Sequence, residues 1–262
     1  MAKIVLGLLA AFCCFMISAA GATPLFGTLG YGGGSVSWQG YCPTETTCHS
    51  TSYLVELNPE TGAVINYIGD VGYRVNGLAF DPKSGKLYGG TSGSDPTFKG
   101  LIEIDITTGA GTPVGPGWGA SHVAAITVDS VGNMYGWTQD SQDLVSIDKT
   151  TGVATIVGDS GITTGDFGLS FNSADELYLV QYQGRAYRVD ASTGSATLQD
   201  TFYDYDDTHH GKFDWLTDLF YTISWSQTGT RDLYRCDFMT LYCTVIGPVG
   251  VLHTIAFQDQ LG

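Results

Sequence analysis

The chain has 262 residues, 26 of them acidic and 11 basic, for a formal charge of −15, and 43 % of them are hydrophobic. That balance disfavours nucleic acid and anionic membranes as partners, and the length suits one domain with a sizeable core. Helical periodicity is absent and no Pro-rich or charged linker divides the chain, so alternation broken by Gly-rich turns predicts an all-β fold.

Residues 1–22 read as a signal peptide that is cleaved. Lys3 gives the positive start, Ile4 to Ile17 an apolar run, and Ala20-Gly21-Ala22 a small-residue cleavage site. The run is short for a membrane span, and no second apolar stretch reaches membrane length. A secreted or periplasmic location is therefore expected, with residues 23–262 forming a single domain. Removing the leader removes one lysine and leaves 10 basic residues against 26 acidic ones.

From residue 25 onward the sequence repeats. Turns of the form [ND]xxTG begin at Asn58, Asp105, Asp148 and Asp190, and a fifth at Asp237 has lost its glycine; the steps are 47, 43, 42 and 47 residues. An Asx side chain can accept backbone N–H bonds inside such a turn, and glycine supplies the positive φ that closes it. Short apolar strands follow each turn, ending in Phe80, Val128, Phe171, Phe213 and Phe257. A polar residue comes directly after each: Asp81, Asp129, Asn172, Asp214 and Gln258. A third marker, of the Leu-Tyr-Gly kind, lies downstream of the first four anchors. Its fifth copy is missing after Phe257 and stands instead at the other end of the chain, as Leu25-Phe26-Gly27. A split repeat has a purpose in a closed ring, where strands from the N-terminus complete the last sheet and remove its open edges. Five repeats with a period in the forties and four strands each predict a five-bladed β-propeller; a β-sandwich of short strands is the alternative.

Outside the leader, which holds Cys13 and Cys14, four cysteines remain: Cys42, Cys48, Cys236 and Cys243. In an oxidising compartment they should pair. In the propeller, Cys42 and Cys48 bracket a connection between second and third strands, whereas Cys236 and Cys243 flank a turn between third and fourth strands. Those connections lie at opposite ends of the blades, so the local pairs Cys42–Cys48 and Cys236–Cys243 are expected.

The same strand order gives the ring two unlike faces. One carries the tight repeated turns, where Asp81, Asp129, Asn172, Asp214 and Gln258 each cap a hairpin or together hold a cation. The other gathers the irregular loops, where function usually lives. Arg74, Asn76, Trp118, His122 and His253 lie at entries to inner strands on that face, and Trp38, Trp137 and Trp225 come late in second strands or just after them. The longest departure runs from Tyr203 to His210. Within it Asp204, Asp206, His209 and His210 form a candidate set for calcium or zinc, with a solvated acidic loop as the plainer alternative. Catalytic motifs of the GxSxG, HExxH and Walker kinds are absent.

The phrase IDxxTGxxTxVG followed by GLAFDPxxGxLYG resembles that of exported bacterial β-propeller repeat proteins. The resemblance covers residues 25–262, implies the fold and export, and carries no functional residue over. The expected role is a binding or interaction propeller whose loop face recognises a saccharide, a peptide or a protein, as a monomer with no nucleic-acid partner. The competing role is a metal-dependent hydrolase or lyase with its site at the channel mouth. The two are separated by whether His253, Asn76 and the 204–210 loop converge.

Overall fold

The computed structural model describes residues 23–30, 50–119, 122–163, 167–203, 209–225 and 231–258. These hold five four-stranded antiparallel sheets. In the first repeat of a complete blade, β4 (Val75–Asp81), β5 (Lys86–Thr91), β6 (Leu101–Ile104) and β7 (Gly111–Val114) lie in sequence order from the axis outward. The next three blades repeat the pattern. One is β8 (Val123–Val128), β9 (Met134–Thr138), β10 (Asp143–Ile147) and β11 (Ala154–Asp159). Another is β12 (Phe167–Phe171), β13 (Leu177–Gln181), β14 (Arg185–Val189) and β15 (Ala196–Thr201). The last is β16 (His209–Asp214), β17 (Leu219–Trp225), β18 (Arg231–Asp237) and β19 (Tyr242–Gly250).

The fifth blade closes the ring. Its inner strand is β20 (Leu252–Phe257), and its outer three are β1 (Leu25–Leu29), β2 (Tyr53–Leu57) and β3 (Val64–Asp70), in the order β20-β1-β2-β3. Leu25 stands opposite Phe257, Phe26 opposite Ala256 and Gly27 opposite Ile255. The displaced repeat marker therefore pairs with the strand whose blade lacked it, as the split repeat requires. The protein is a five-bladed β-propeller.

Burial follows distance from the axis. The inner strand β8 is buried at every position and reads VAAITV, because it is covered on both faces. Strands β2 and β10 alternate buried and half-exposed residues, and the outermost β3 and β15 are mostly exposed. The core is accordingly split into five apolar clusters, each formed between neighbouring blades. Leu25, Val55, Tyr221 and Leu252, for example, join the closing blade to the one before it.

The repeat phrase also contains the docking of one blade on the next. A Cβ on Gly69 would lie 1.9 Å from the Thr108 carbonyl oxygen, and one on Gly158 would lie 2.0 Å from that of Thr193. The glycine ending each TxVG segment thus sits on the TG turn of the following blade, where no side chain fits. The contact recurs between Gly247 and Thr61, across the seam of the ring. It is replaced at one junction only among the described residues. Asp200 stands where the other outer strands carry glycine, and the turn it faces is the one that lost its own, Leu241 taking φ 62° in its place. Here Tyr203 donates its N–H to the Leu241 carbonyl at 2.9 Å. The Cys236–Cys243 disulfide joins directly opposed residues of β18 and β19 beside that turn. Cys42 and Cys48 lie outside the described residues. No helix among those described is long and apolar enough to cross a membrane.

Candidate functional site

The two ends of the ring use polar residues differently. At the turn end, the repeated carboxylates are consumed locally. Asp81 accepts from the Lys83 and Ser84 N–H groups and the Ser84 hydroxyl, and Asp129 from the N–H groups of Val131 and Asn133 and the Asn133 amide. Asn172 accepts from the Ala174 and Glu176 N–H groups, and Asp214 from the Leu216 N–H and the Thr217 hydroxyl. Gln258 uses its main chain, donating to the Pro24 carbonyl at 2.8 Å where the ring closes. Lys149 of the next blade pairs with Asp81 at 2.5 Å. Burial raises the Asp81 carboxyl, but this pairing and the N–H donors outweigh it and hold the group below the usual carboxylate range. Residues fixed in this way serve as turn caps that also tie blades together. Asp175 and Asp218, both at positive φ, take the N–H groups of Ser130 and Ser173 from the preceding blade.

At the loop end, side chains from different blades meet. Asn76, second in β4, places its amide nitrogen 3.2 Å from Nε2 of His122, which precedes β8. Its amide oxygen lies 3.2 Å from Nε2 of His253, second in β20. Nδ1 of His253 lies 3.4 Å from the guanidinium of Arg231, which opens β18 and also donates to the Leu252 carbonyl. The sense of this chain is set by Arg231, since a guanidinium can only donate. His253 Nδ1 therefore accepts, its proton sits on Nε2, and Asn76 Oδ1 takes it. The Asn76 amide then donates to His122 Nε2. Burial pushes the His122 imidazole down from its ordinary value, while Asp140 and the Gln139 side chain pull it partly back.

His210 joins from β16. That strand carries a one-residue bulge between His209 and Lys212, and His210 sits within it at φ 37°. A bulge re-aims a side chain, and here the His210 ring comes to 5.1 Å from that of His253, centroid to centroid. Asn76, His122, His210 and His253 are all half-buried, so the network lines the mouth without being sealed.

The remaining predicted residues are placed as follows. Arg74 clasps loops: its side chain donates to the Ser50 and Ser94 carbonyls at 3.1 and 2.9 Å, and its N–H to Asp95 at 2.6 Å. Burial raises the Asp95 carboxyl, and the N–H donors from Arg74, Phe98 and Thr97 more than offset that and lower it. Trp118 is 8 % exposed and packs with Leu101, Val123 and Ile126, and Trp137 is fully buried with its ring 6.1 Å from that of Phe167. Both are core residues and offer no face for stacking. Asp204, Asp206 and Trp38 lie outside the described residues, and of His209 and Trp225 only the backbone is described. Among the described residues no three His, Cys, Asp or Glu side chains gather as a metal site. Sequence reasoning passed over Arg231, whose one signal is a base opening a third strand next to a loop.

Residues 119–255, covering three of the five blades, match the family described as "Domain of unknown function (DUF4394)". No curated protein matches the sequence. A chain from the crystal structure of a nidogen/laminin complex is similar in fold, with a TM-score of 0.56 and 12 % identity over 91 % of this chain and 99 % of that one. A structural-genomics protein of unknown function from Bacteroides thetaiotaomicron VPI-5482 aligns with a TM-score of 0.48 and 12 % identity, over 66 % of this chain and 51 % of that chain.

Proposed function

The chain belongs to the DUF4394 family, and we propose that it is an exported binding propeller that recognises a peptide or protein segment at the loop-face mouth of its channel. The observation that carries this reading is the polar chain Arg231, His253, Asn76 and His122, contributed by four neighbouring blades and half-open to solvent. An amide and imidazoles fixed in one donor-to-acceptor sense match the alternating donors and acceptors of a peptide backbone. The burial of Trp118 and Trp137 takes two of the tryptophans that a saccharide reading would use for stacking into the core, which favours the peptide over the sugar. Export is supported by the apolar, small-residue leader pattern of residues 1–22 and by the disulfide of β18 and β19.

The test is a peptide-display selection against the immobilised full chain, followed by calorimetry of the recovered peptides. Asn76→Leu should weaken binding at least tenfold, while Asp105→Ala, on the turn face, should leave it within about twofold. Equal affinity of the parent and Asn76→Leu, with loss in Asp105→Ala, would move the site to the other face.

A further inference from the structure

The seam of the ring carries a bond that the repeat does not supply. Thr23, two residues before β1, donates its hydroxyl to Asp214 Oδ1 at 3.0 Å. The same oxygen accepts the Leu216 N–H at 3.1 Å, and Oδ2 accepts the Thr217 hydroxyl at 2.8 Å. Asp214 ends β16, so the bond ties the start of the closing blade to a turn of the blade before it. Beside it Gln258 donates its N–H to the Pro24 carbonyl at 2.8 Å. Asp214 is 5 % exposed, and among the described residues no basic side chain pairs with it. Its repeat equivalent Asp81 differs in this respect, because Lys149 of the next blade supplies a cation there.

We propose that removal of the leader after Ala22 supplies the missing cation, as the α-ammonium of Thr23, and so locks the ring. The inference rests on the reading of residues 1–22 as a cleaved leader. Cleavage consumes one water. Its oxygen adds to the Ala22 carbonyl carbon, the Ala22–Thr23 C–N bond breaks, and the products are a carboxylate on Ala22 and an ammonium on Thr23. Within Thr23 the nitrogen reaches Oγ1 through Cα and Cβ, so a gauche rotamer turns both toward the same carboxylate. Before the cut that nitrogen is an uncharged amide. Afterwards it is an amine that ordinarily titrates near about pH 8, and it is charged at neutral pH. A carboxylate shielded from water attracts such a cation more strongly than one in bulk solvent. The neighbouring charges are already engaged: Asp218 of the same turn accepts the Ser173 N–H, and Arg235 of β18 pairs with Glu60 at 3.4 Å. The leader-bearing chain thus has the hydroxyl bond alone at this point of the seam, and the mature chain has that bond and an ion pair.

The experiment expresses the full chain in a host that exports it and reads the first residue of the product by intact mass. Thr23 is expected. A different first residue would overturn the leader reading and the proposal with it. The mature chain is then compared with a form that keeps Gly21 and Ala22, which moves the ammonium away from Asp214. The longer form should melt about 2–4 °C lower, the shift that a pair of ordinary strength gives in a domain of this size. Asp214→Asn in the mature chain should lower melting by a similar amount, since Asn172 shows that an amide can cap the equivalent turn. In the Asp214→Asn background the two starts should melt alike, as expected of a coupled pair. Should Asp214→Asn fail to fold, the comparison of the two starts needs no substitution and still decides. A start at Thr23 with equal melting of the mature and longer forms would overturn the proposal alone, as would an equal loss on extension with and without Asp214→Asn.

Discussion

A hydrogen-bond chain anchored on a guanidinium tolerates no reversal, and this makes the loop-face residues sensitive to protonation. His122 is the clearest case. Its folded imidazole is shifted below the ordinary value of 6.5, chiefly by burial, so the unfolded chain takes up a proton more readily than the folded one. The stability it contributes is fully present above pH 6.5 and is lost as the pH falls below that value toward the folded one. The parent should therefore lose more melting temperature between pH 7 and pH 5 than His122→Gln does; parallel losses would show that His122 is not a source of the acid sensitivity. At this scale the sequence was a partial guide. It aligned Asn76, His209 and His253 at nearly the same repeat position and set His122 at another entry to an inner strand; the hydrogen-bonded neighbours are Asn76, His122 and His253, and of His209 only the backbone is described. It also assigned Trp118 and Trp137 to a binding face although both are core, because nearness to a loop does not fix which way a ring turns. Arg231 was illegible for the same reason: a lone base beside a loop reads as a solvated charge.

Between blades, the repeat phrase acts through glycines that have no side chain to spare. Gly158→Ala would drive a Cβ into the Thr193 carbonyl of the next blade, backbone against backbone, and should cost on the order of 3 kcal/mol in denaturant melts. Gly72→Ala is the control. Its φ of 78° is strained for alanine but nothing lies within 4 Å, so about 1 kcal/mol is expected. Similar losses for the two variants would contradict the docking role. The worn turn at Asp237 relies on covalent closure instead. Replacing Cys236 and Cys243 with serine should cost roughly 2–3 kcal/mol in the chain-entropy model, read from the same melts. Element identity was well marked in the sequence, because a tight turn needs Asx and glycine at fixed positions whatever surrounds it. The bulge in β16 was not: one extra residue sets His210 within it at φ 37°, and nothing in the local pattern announces it.

For the molecule as a whole, closure by β1 is what makes five blades one cooperative unit. Deleting residues 23–30 removes the strand between β20 and β2 and opens two edges, so the truncated protein should aggregate or melt without a sharp transition; melting like the parent would mean that the seam contributes little. The ring was readable from a repeat split between the two ends of the chain. Its use was not readable, because the candidate site is assembled from single residues of different blades and has no motif of its own. The measurement that bears most directly on that use is hydrogen exchange of the full chain with and without a selected peptide. The peptide should slow exchange at the starts of β4, β8 and β20 and leave the turns 105–110, 148–153 and 190–195 unchanged. Protection of those turns, with none where the inner strands begin, would contradict the loop-face site.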